Sequence, residues 1–244
     1  MARFFVDTLP AEGTAYTLTG ENADHARVLR LRPGEAVTLC DGRGTDCPCT
    51  VAEGLTLTAG VARPCPAEAK AAVSVWMAFP KGDKAEHVIQ KATELGAAEL
   101  NFFPSRYCVS RPEGKALEKK LERWQKIARA AAEQSGRGVI PAIRAVGSYA
   151  VALAQALQRA VPILCYENEA QYSLRDALSE LGSGPAQALT VSLMTGAEGG
   201  FSEDEIAQAQ TAGMKICTLG PRILRCETAP LAALTAIMFA LGEM

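Results

Sequence analysis

The chain reads as an α/β protein: a parallel sheet covered on both faces by helices, preceded by a small β-rich domain. Three features predict this. From about residue 73, continuous apolar runs of strand length alternate with amphipathic helical segments, the pattern of strands buried on both faces. Before residue 70 the apolar runs are shorter and separated by turn residues. Between the two textures, Pro64-Cys65-Pro66 and the Ala-rich charged residues after it read as a linker. Domains of 1–70 and 71–244 are expected.

In the first domain, Arg3-Phe4-Phe5-Val6, Ala36 to Cys40 and Leu55 to Thr58 predict strands. Asp41-Gly42-Arg43-Gly44 predicts a turn between strands. His25 to Leu31 is open to two readings, a short helix or another strand, ended by Pro33-Gly34.

In the second domain, Val73 to Phe79 predicts a buried strand. Asp83 then caps a helix, with Glu86 completing a capping box. Val88, Ile89, Ala92 and Leu95 give that helix one apolar stripe, and Gly96 stops it. Leu100 to Phe103 is the next strand. A longer helix covers 115–134, with Leu117, Leu121, Trp124, Ala128 and Ala131 on one face. Strands follow near 139–145, 161–166, 188–194 and 214–219, with helical segments between them.

Composition sets bounds on function. The 244 residues are 48% hydrophobic and 21% charged, ordinary globular usage that argues against disorder. A net charge of -2 excludes a polycation that coats nucleic acid, though not a local basic patch. The eight cysteines are scattered and there is no secretory pattern, so reduced thiols in a cytoplasm are expected. No apolar stretch has membrane-spanning length. Cys47-Pro48-Cys49 lacks a second cysteine pair, and the chain has only His25 and His87 as histidines, so no metal is expected.

Two segments suggest chemistry. The strand ending at Met194 runs into Thr195-Gly196-Ala197-Glu198-Gly199-Gly200-Phe201, after which Ser202 and Glu205 form a capping box and Phe201 with Ile206 a hydrophobic staple. A glycine loop at the carboxyl end of a parallel strand lets a ligand approach the backbone. It also serves as a bare strand-to-helix turn. The loop matches neither a P-loop nor a dinucleotide fingerprint. Its acidic surround, Glu198 followed by Glu203, Asp204 and Glu205, disfavours a polyphosphate and tolerates a cation. The second segment, Cys217 to Pro230, follows the last strand. Beyond it Leu231, Leu234, Ile237, Met238 and Leu241 form a stripe that suits either the core or a dimer face. Both loops end successive strands of the string, so both can line one crevice.

Gly196-Ala197-Glu198-Gly199-Gly200-Phe201-Ser202 and Leu219-Gly220-Pro221-Arg222-Ile223-Leu224-Arg225-Cys226-Glu227-Thr228-Ala229 together resemble the RsmE family. These are 16S ribosomal RNA uracil-N3 methyltransferases of the SPOUT class. The likeness extends to Arg3 to Val6, to His25 to Gly34, to Lys91 to Gly96 and to Ala131 to Arg137. In one departure, Ala197 stands where the family has proline, which frees φ without removing a hydrogen-bond donor. A slightly looser loop is expected.

The resemblance implies a PUA-like β-barrel domain that binds RNA and a SPOUT methyltransferase domain whose last strands form a trefoil knot. It implies a homodimer that binds S-adenosylmethionine. Carried over by position, the cofactor loops are Leu193 to Gly200 (Leu193, Thr195, Gly196, Glu198, Gly199, Gly200) and Leu219 to Ala229 (Leu219, Gly220, Arg222, Ile223, Leu224, Thr228, Ala229). Arg225 and Arg137 are candidates to stabilise a developing uracil anion. Glu198 is a candidate to take the N3 proton or to balance the sulfonium charge. Arg3, together with His25, Arg27, Arg30 and Arg32 of the His25 to Gly34 segment and with Arg106 and Arg111, is a candidate for RNA contact.

Charge distribution supports RNA independently. Between Asn101 and Arg144 stand ten basic residues, Arg106 and Arg111 among them, against four acidic ones. Such a stripe suits phosphates; it also suits a solvated helix face with pairs such as Glu122–Lys126. Three competing functions remain at this level: a non-catalytic RNA-binding assembly factor, a methyltransferase of the same class acting on another RNA, and a nucleotide-dependent oxidoreductase. The last lacks fingerprint glycines after the first strand, where Pro80-Lys81-Gly82-Asp83 stands.

Overall fold

The short apolar runs of the first seventy residues pair into one sheet. Its elements are β1 (Ala2–Phe5), β2 (Ala15–Thr17), α1 (Gly20–Leu29), β3 (Ala36–Cys40), β4 (Thr45–Val51), β5 (Thr56–Ala59) and β6 (Arg63–Pro64). The strand order is β1-β3-β4-β5-β2, with β6 on β4. β1 pairs with β3 in parallel and the other pairs are antiparallel. Alternate residues of these strands, among them Phe4, Val37, Leu39, Cys47 and Leu57, fill the core. The turn expected at Asp41 forms because its carboxylate accepts from the backbone N–H groups of Arg43 and Thr45, at 2.8 and 3.0 Å.

The segment from His25 is helical, and its helix begins earlier than the sequence suggests. Ala23 and Ala26 are its buried residues. It ends not at Pro33-Gly34 but at Arg30, a non-glycine residue in the left-handed region (φ 55°). β4 escapes sequence reading because Pro48 interrupts it. Cys47 and Cys49 lie within this strand, their sulfurs 3.8 Å apart.

The second sheet is wholly parallel. Its chain segment carries β7 (Ala72–Ala78), α2 (Lys84–Glu94), β8 (Glu99–Phe103), α3 (Gly114–Ser135), β9 (Ala142–Ala145), α4 (Tyr149–Ala156) and β10 (Val161–Cys165). α5 (Leu174–Ser179), β11 (Thr190–Thr195), α6 (Glu203–Ala212), β12 (Lys215–Cys217) and α7 (Thr228–Ala240) complete it. The order is β12-β10-β11-β7-β8-β9. This computed structural model describes residues 1–179 and 189–244; Ala188, expected to open β11, lies outside them. Among these residues contacts define two units, Met1–Glu68 with Arg129–Ile140, and Ala69–Ala128 with Pro141–Met244.

β7 is buried almost along its length, as its apolar run predicts. α3 presents Trp124 and Ala128 to the core, and Trp124 packs 4.6 Å from Phe102 between ring centres. Gly96 takes a positive φ after α2, and a Cβ there would meet Met238 of α7 at 2.6 Å. The capping box expected at Asp83 does not form: Asp83 makes no side-chain cap, and Glu86 pairs with Arg123 at 2.6 Å. The one expected at Ser202 and Glu205 does form.

Candidate active site

β11 ends in the glycine loop and β12 in the second loop, with β10 between them in the sheet. The carboxyl ends of all three strands therefore open on one cavity of about 430 Å³, where ligands of open parallel sheets bind. Thr195, Gly196, Glu198 and Gly200 line it from the first loop. Leu219, Gly220, Arg222, Ile223, Leu224, Arg225 and Ala229 line it from the second. Eleven sequence candidates thus converge here.

Leu193, Gly199 and Thr228 do not line the cavity. Leu193 is sealed in the sheet. Gly199 accommodates Tyr107, whose Cβ would lie 2.7 Å from any Cβ at this position. Thr228 opens α7, its N–H donating to the Arg225 carbonyl at 2.8 Å. Arg137, a catalytic candidate by resemblance, belongs to the first unit. There it is 4% exposed and forked onto Glu68, with Nη2 at 2.8 Å and Nε at 3.3 Å.

Thr218 and Cys226 of the second loop also line the cavity, as do Lys84, Tyr166 and Glu167, which sequence reading passed over. Lys84 opens α2 and binds both loops: its Nζ lies 3.0 Å from Glu198, 3.3 Å from Glu227 and 3.6 Å from the Cys226 sulfur. Glu198 also accepts from the Lys81 N–H at 3.0 Å. Burial pushes its carboxyl up, but these hydrogen bonds and the Lys84 charge prevail and hold it below the usual range. The Glu198 carboxylate is thus engaged by both Lys81 and Lys84. Burial raises the Cys226 thiol to about 12, so it is neutral. The ammonium of Lys84 is stabilised by Glu198 first, with burial opposing.

The glycine loop is tight. A Cβ on Gly196 would lie 2.9 Å from the Gly200 Cα, so the loop closes on itself backbone to backbone. Gly200 has φ +64°, and a Cβ there would strike the Glu167 carboxylate. The buried Glu205 carboxylate steadies the loop from behind. It accepts from the Ser202 N–H at 2.9 Å, from the Arg106 N–H at 2.9 Å and from the Ser105 hydroxyl at 3.2 Å. Inside the cavity, the Thr195 hydroxyl is 1% exposed and has no partner in the structure. An orphaned buried hydroxyl is costly unless a ligand completes it.

The RNA candidates divide by exposure. Arg3 is buried on Asp46, Nη2 to Oδ2 at 2.8 Å, and cannot reach a phosphate. His25 stands edge-on to Phe4 and 3.8 Å from Glu133. Arg27, Arg30 and Arg32 are exposed together, with Arg27 2.6 Å from Asp24. Arg106 is exposed. Arg111 donates to the carbonyls of Ser105, Arg106 and Cys108, at 2.8, 3.0 and 3.3 Å, and so braces its own loop. In the basic stripe, Arg123, Arg129, Arg137 and Arg144 are ion-paired with Glu86, Glu133, Glu68 and Glu99. Among the described residues no ion pair joins Glu122 to Lys126, and no group of three His, Cys, Asp or Glu could hold a metal. Nor is any described helix long and apolar enough to cross a membrane.

Comparison with known proteins gives a consistent set of relatives. The RNA methyltransferase domain family matches residues 67–238, and the RNA methyltransferase PUA domain family matches residues 18–56. The chain is 32% identical to a Bacillus subtilis protein named ribosomal RNA small subunit methyltransferase E, over 98% of this chain and 96% of that one. A Mycobacterium tuberculosis protein of the same name is 35% identical over 96% and 90%. A Neisseria gonorrhoeae ribosomal RNA small subunit methyltransferase E, solved bound to S-adenosylmethionine, superposes with a TM-score of 0.82 at 32% identity, covering 98% of this chain and 97% of that one. A Legionella pneumophila chain solved with S-adenosylmethionine gives 0.81 at 27% identity, with the same coverage.

Proposed function

Because this chain belongs to the ribosomal RNA small subunit methyltransferase E family, we propose that it methylates N3 of a specific uridine in 16S ribosomal RNA, with S-adenosylmethionine as donor. The observation that carries this is the cavity at the ends of β10, β11 and β12, with its close-folded glycine loop and its unpartnered Thr195 hydroxyl. The residues fit the donor. Thr195 offers it a buried hydroxyl, and Gly196, Leu219, Gly220, Leu224 and Ala229 let it lie against backbone. When bound, the donor supplies a methyl group on a positively charged sulfur.

Two carboxylates, Glu167 and Glu198, line the cavity, and a carboxylate beside a positively charged sulfur stabilises it. Arg225 is exposed and lines the same cavity. Its guanidinium stabilises negative charge as it develops on the substrate base. Exposed Arg27, Arg30 and Arg32 of the first unit hold RNA phosphates, in a segment that overlaps the PUA family match.

The same reading makes the enzyme cytoplasmic, metal-free and homodimeric, with its last strands threaded as a trefoil knot. Eight unpaired, buried cysteines support a reducing compartment. The exposed Phe239 of α7 supports a subunit contact. The order β12-β10-β11, in which the chain passes back across β10, supports the threading.

The test uses small ribosomal subunits lacking the modification, incubated with enzyme and labelled S-adenosylmethionine. Label at uridine N3 is expected. Donor binding without label at that atom rejects the assignment. R225A is expected to lower turnover about a hundredfold while donor affinity stays near wild type.

A further inference from the structure

Most ionisable side chains around the cavity already have their capacity used. Lys84 holds Glu198 and Glu227. Glu198 accepts from two donors and is kept ionised. The Cys226 thiol stays protonated, and the Tyr166 hydroxyl lies 3.1 Å from the Asn168 amide nitrogen. Arg222 and Arg225 are cations and accept nothing.

Glu167 is different. It lines the cavity from the end of β10, and among the described residues nothing donates to its carboxylate or pairs with it. Its place is set by Gly200, whose missing side chain leaves the room that the carboxylate fills. It is exposed, whereas Thr195 is 1% exposed. The cavity thus has a shielded end marked by an orphaned hydroxyl and an open end marked by an unpaired carboxylate. A base turned out of RNA enters from the open end.

We propose that Glu167 is the general base of the reaction; this rests on the uridine-N3 reading above. The N3–H bond breaks, the proton forms an O–H bond with the Glu167 carboxylate, and the electron pair stays on N3. The resulting anion is neutralised by Arg225 on the same cavity wall. Glu198 then has an electrostatic and anchoring role and no proton to carry.

The experiment compares wild type, E167Q and E167D on small ribosomal subunits lacking the modification, across neutral and alkaline pH. Donor affinity is read separately by calorimetry with S-adenosylmethionine. E167Q is expected to bind the donor like wild type while turnover falls about a hundredfold or more. Its remaining rate should climb about tenfold per pH unit as solvent ionises the base instead, and E167D should recover part of the loss. Unchanged E167Q turnover, or a loss equal at every pH, overturns the assignment. Donor affinity weakened more than about tenfold makes Glu167 a cofactor ligand and also overturns it. Wild-type enzyme that binds the donor yet leaves N3 unmodified rejects the activity itself, and this role with it.

Discussion

The Lys84 ammonium lies 3.0 Å from the Glu198 carboxylate, joining the start of α2 to the glycine loop after β11. The same nitrogen reaches Glu227 at 3.3 Å, so one side chain spans both loops of the cavity. Each partner is about a quarter exposed, and water weakens such a pair without erasing it. K84M should weaken S-adenosylmethionine binding about tenfold, and a double-mutant cycle with E198Q should show coupling near 1 kcal/mol. The acid dependence has a definite sign. The folded carboxyl of Glu198 is held below its ordinary value of 4.5. The pair's contribution is therefore complete above that value and lost as pH falls through the lower, folded one. Donor affinity measured by calorimetry on descending from neutral pH should show this acid loss in wild type and lack it in E198Q. Equal acid dependence in both would remove Glu198 from the bracing role.

G200A should fail for two separable reasons. Its φ of +64° costs an alanine roughly 1–2 kcal/mol, and the new methyl would collide with Glu167. The second contribution disappears in G200A/E167A and the first does not. Thermal stability and donor affinity should therefore recover partly in the double variant. G220A offers a control: its φ is +104°, but nothing lies within 4 Å of a Cβ there. No added alanine at position 167 should change its behaviour. Full recovery of G200A by E167A would mean that backbone conformation contributes nothing.

Much of this site can be read from residue order because Gly196, Gly200, Gly220 and the capping box at Ser202 are local signals. What the order hides is lateral. The two loops end strands that are consecutive in the parallel pattern read from the chain, yet β10 lies between them in the sheet, and this alone brings Tyr166 and Glu167 to the cavity. Lys84 is hidden for a related reason: its partners are 114 and 143 residues away in the chain, as the numbers of Glu198 and Glu227 give. Gly200 reads as an opening for a ligand and proves to make room for Glu167. Arg3 reads as a phosphate contact because Asp46, its partner, lies in the strand that Pro48 disguises.

Arg3 and Asp46 are each less than one-tenth exposed, and removing one leaves the other charged and buried. D46N should therefore destabilise the protein by about 3–5 kcal/mol. R3M/D46L, which removes both charges, should recover most of that loss. Burial pushes the Asp46 carboxyl up, but the hydrogen bonds and charge of Arg3 outweigh it and hold the pKa below 3.8. Stability from this group is present above the ordinary value and lost as pH falls through the depressed one. Urea unfolding at neutral and acid pH should show that loss in wild type and not in R3M/D46L. A D46N protein as stable as wild type would contradict the pairing.

Arg27, Arg30 and Arg32 are exposed on one short segment of the first unit, and the Arg27 pair with Asp24 is exposed on both sides. A pair so open to water holds its arginine weakly, so all three cations are free to meet phosphates. Each phosphate contact releases counterions and adds about 0.7–0.9 to the slope of log affinity against log salt. R27Q/R30Q/R32Q should therefore lower that slope by about two on small-subunit RNA, measured by fluorescence anisotropy over a salt series. Donor affinity should not change, because the cavity lining contains none of the three. R3M/D46L, although it also removes a cation from this unit, should leave the slope unaltered because Arg3 is already neutralised by Asp46. A slope unchanged in the triple variant would place the RNA on a different face.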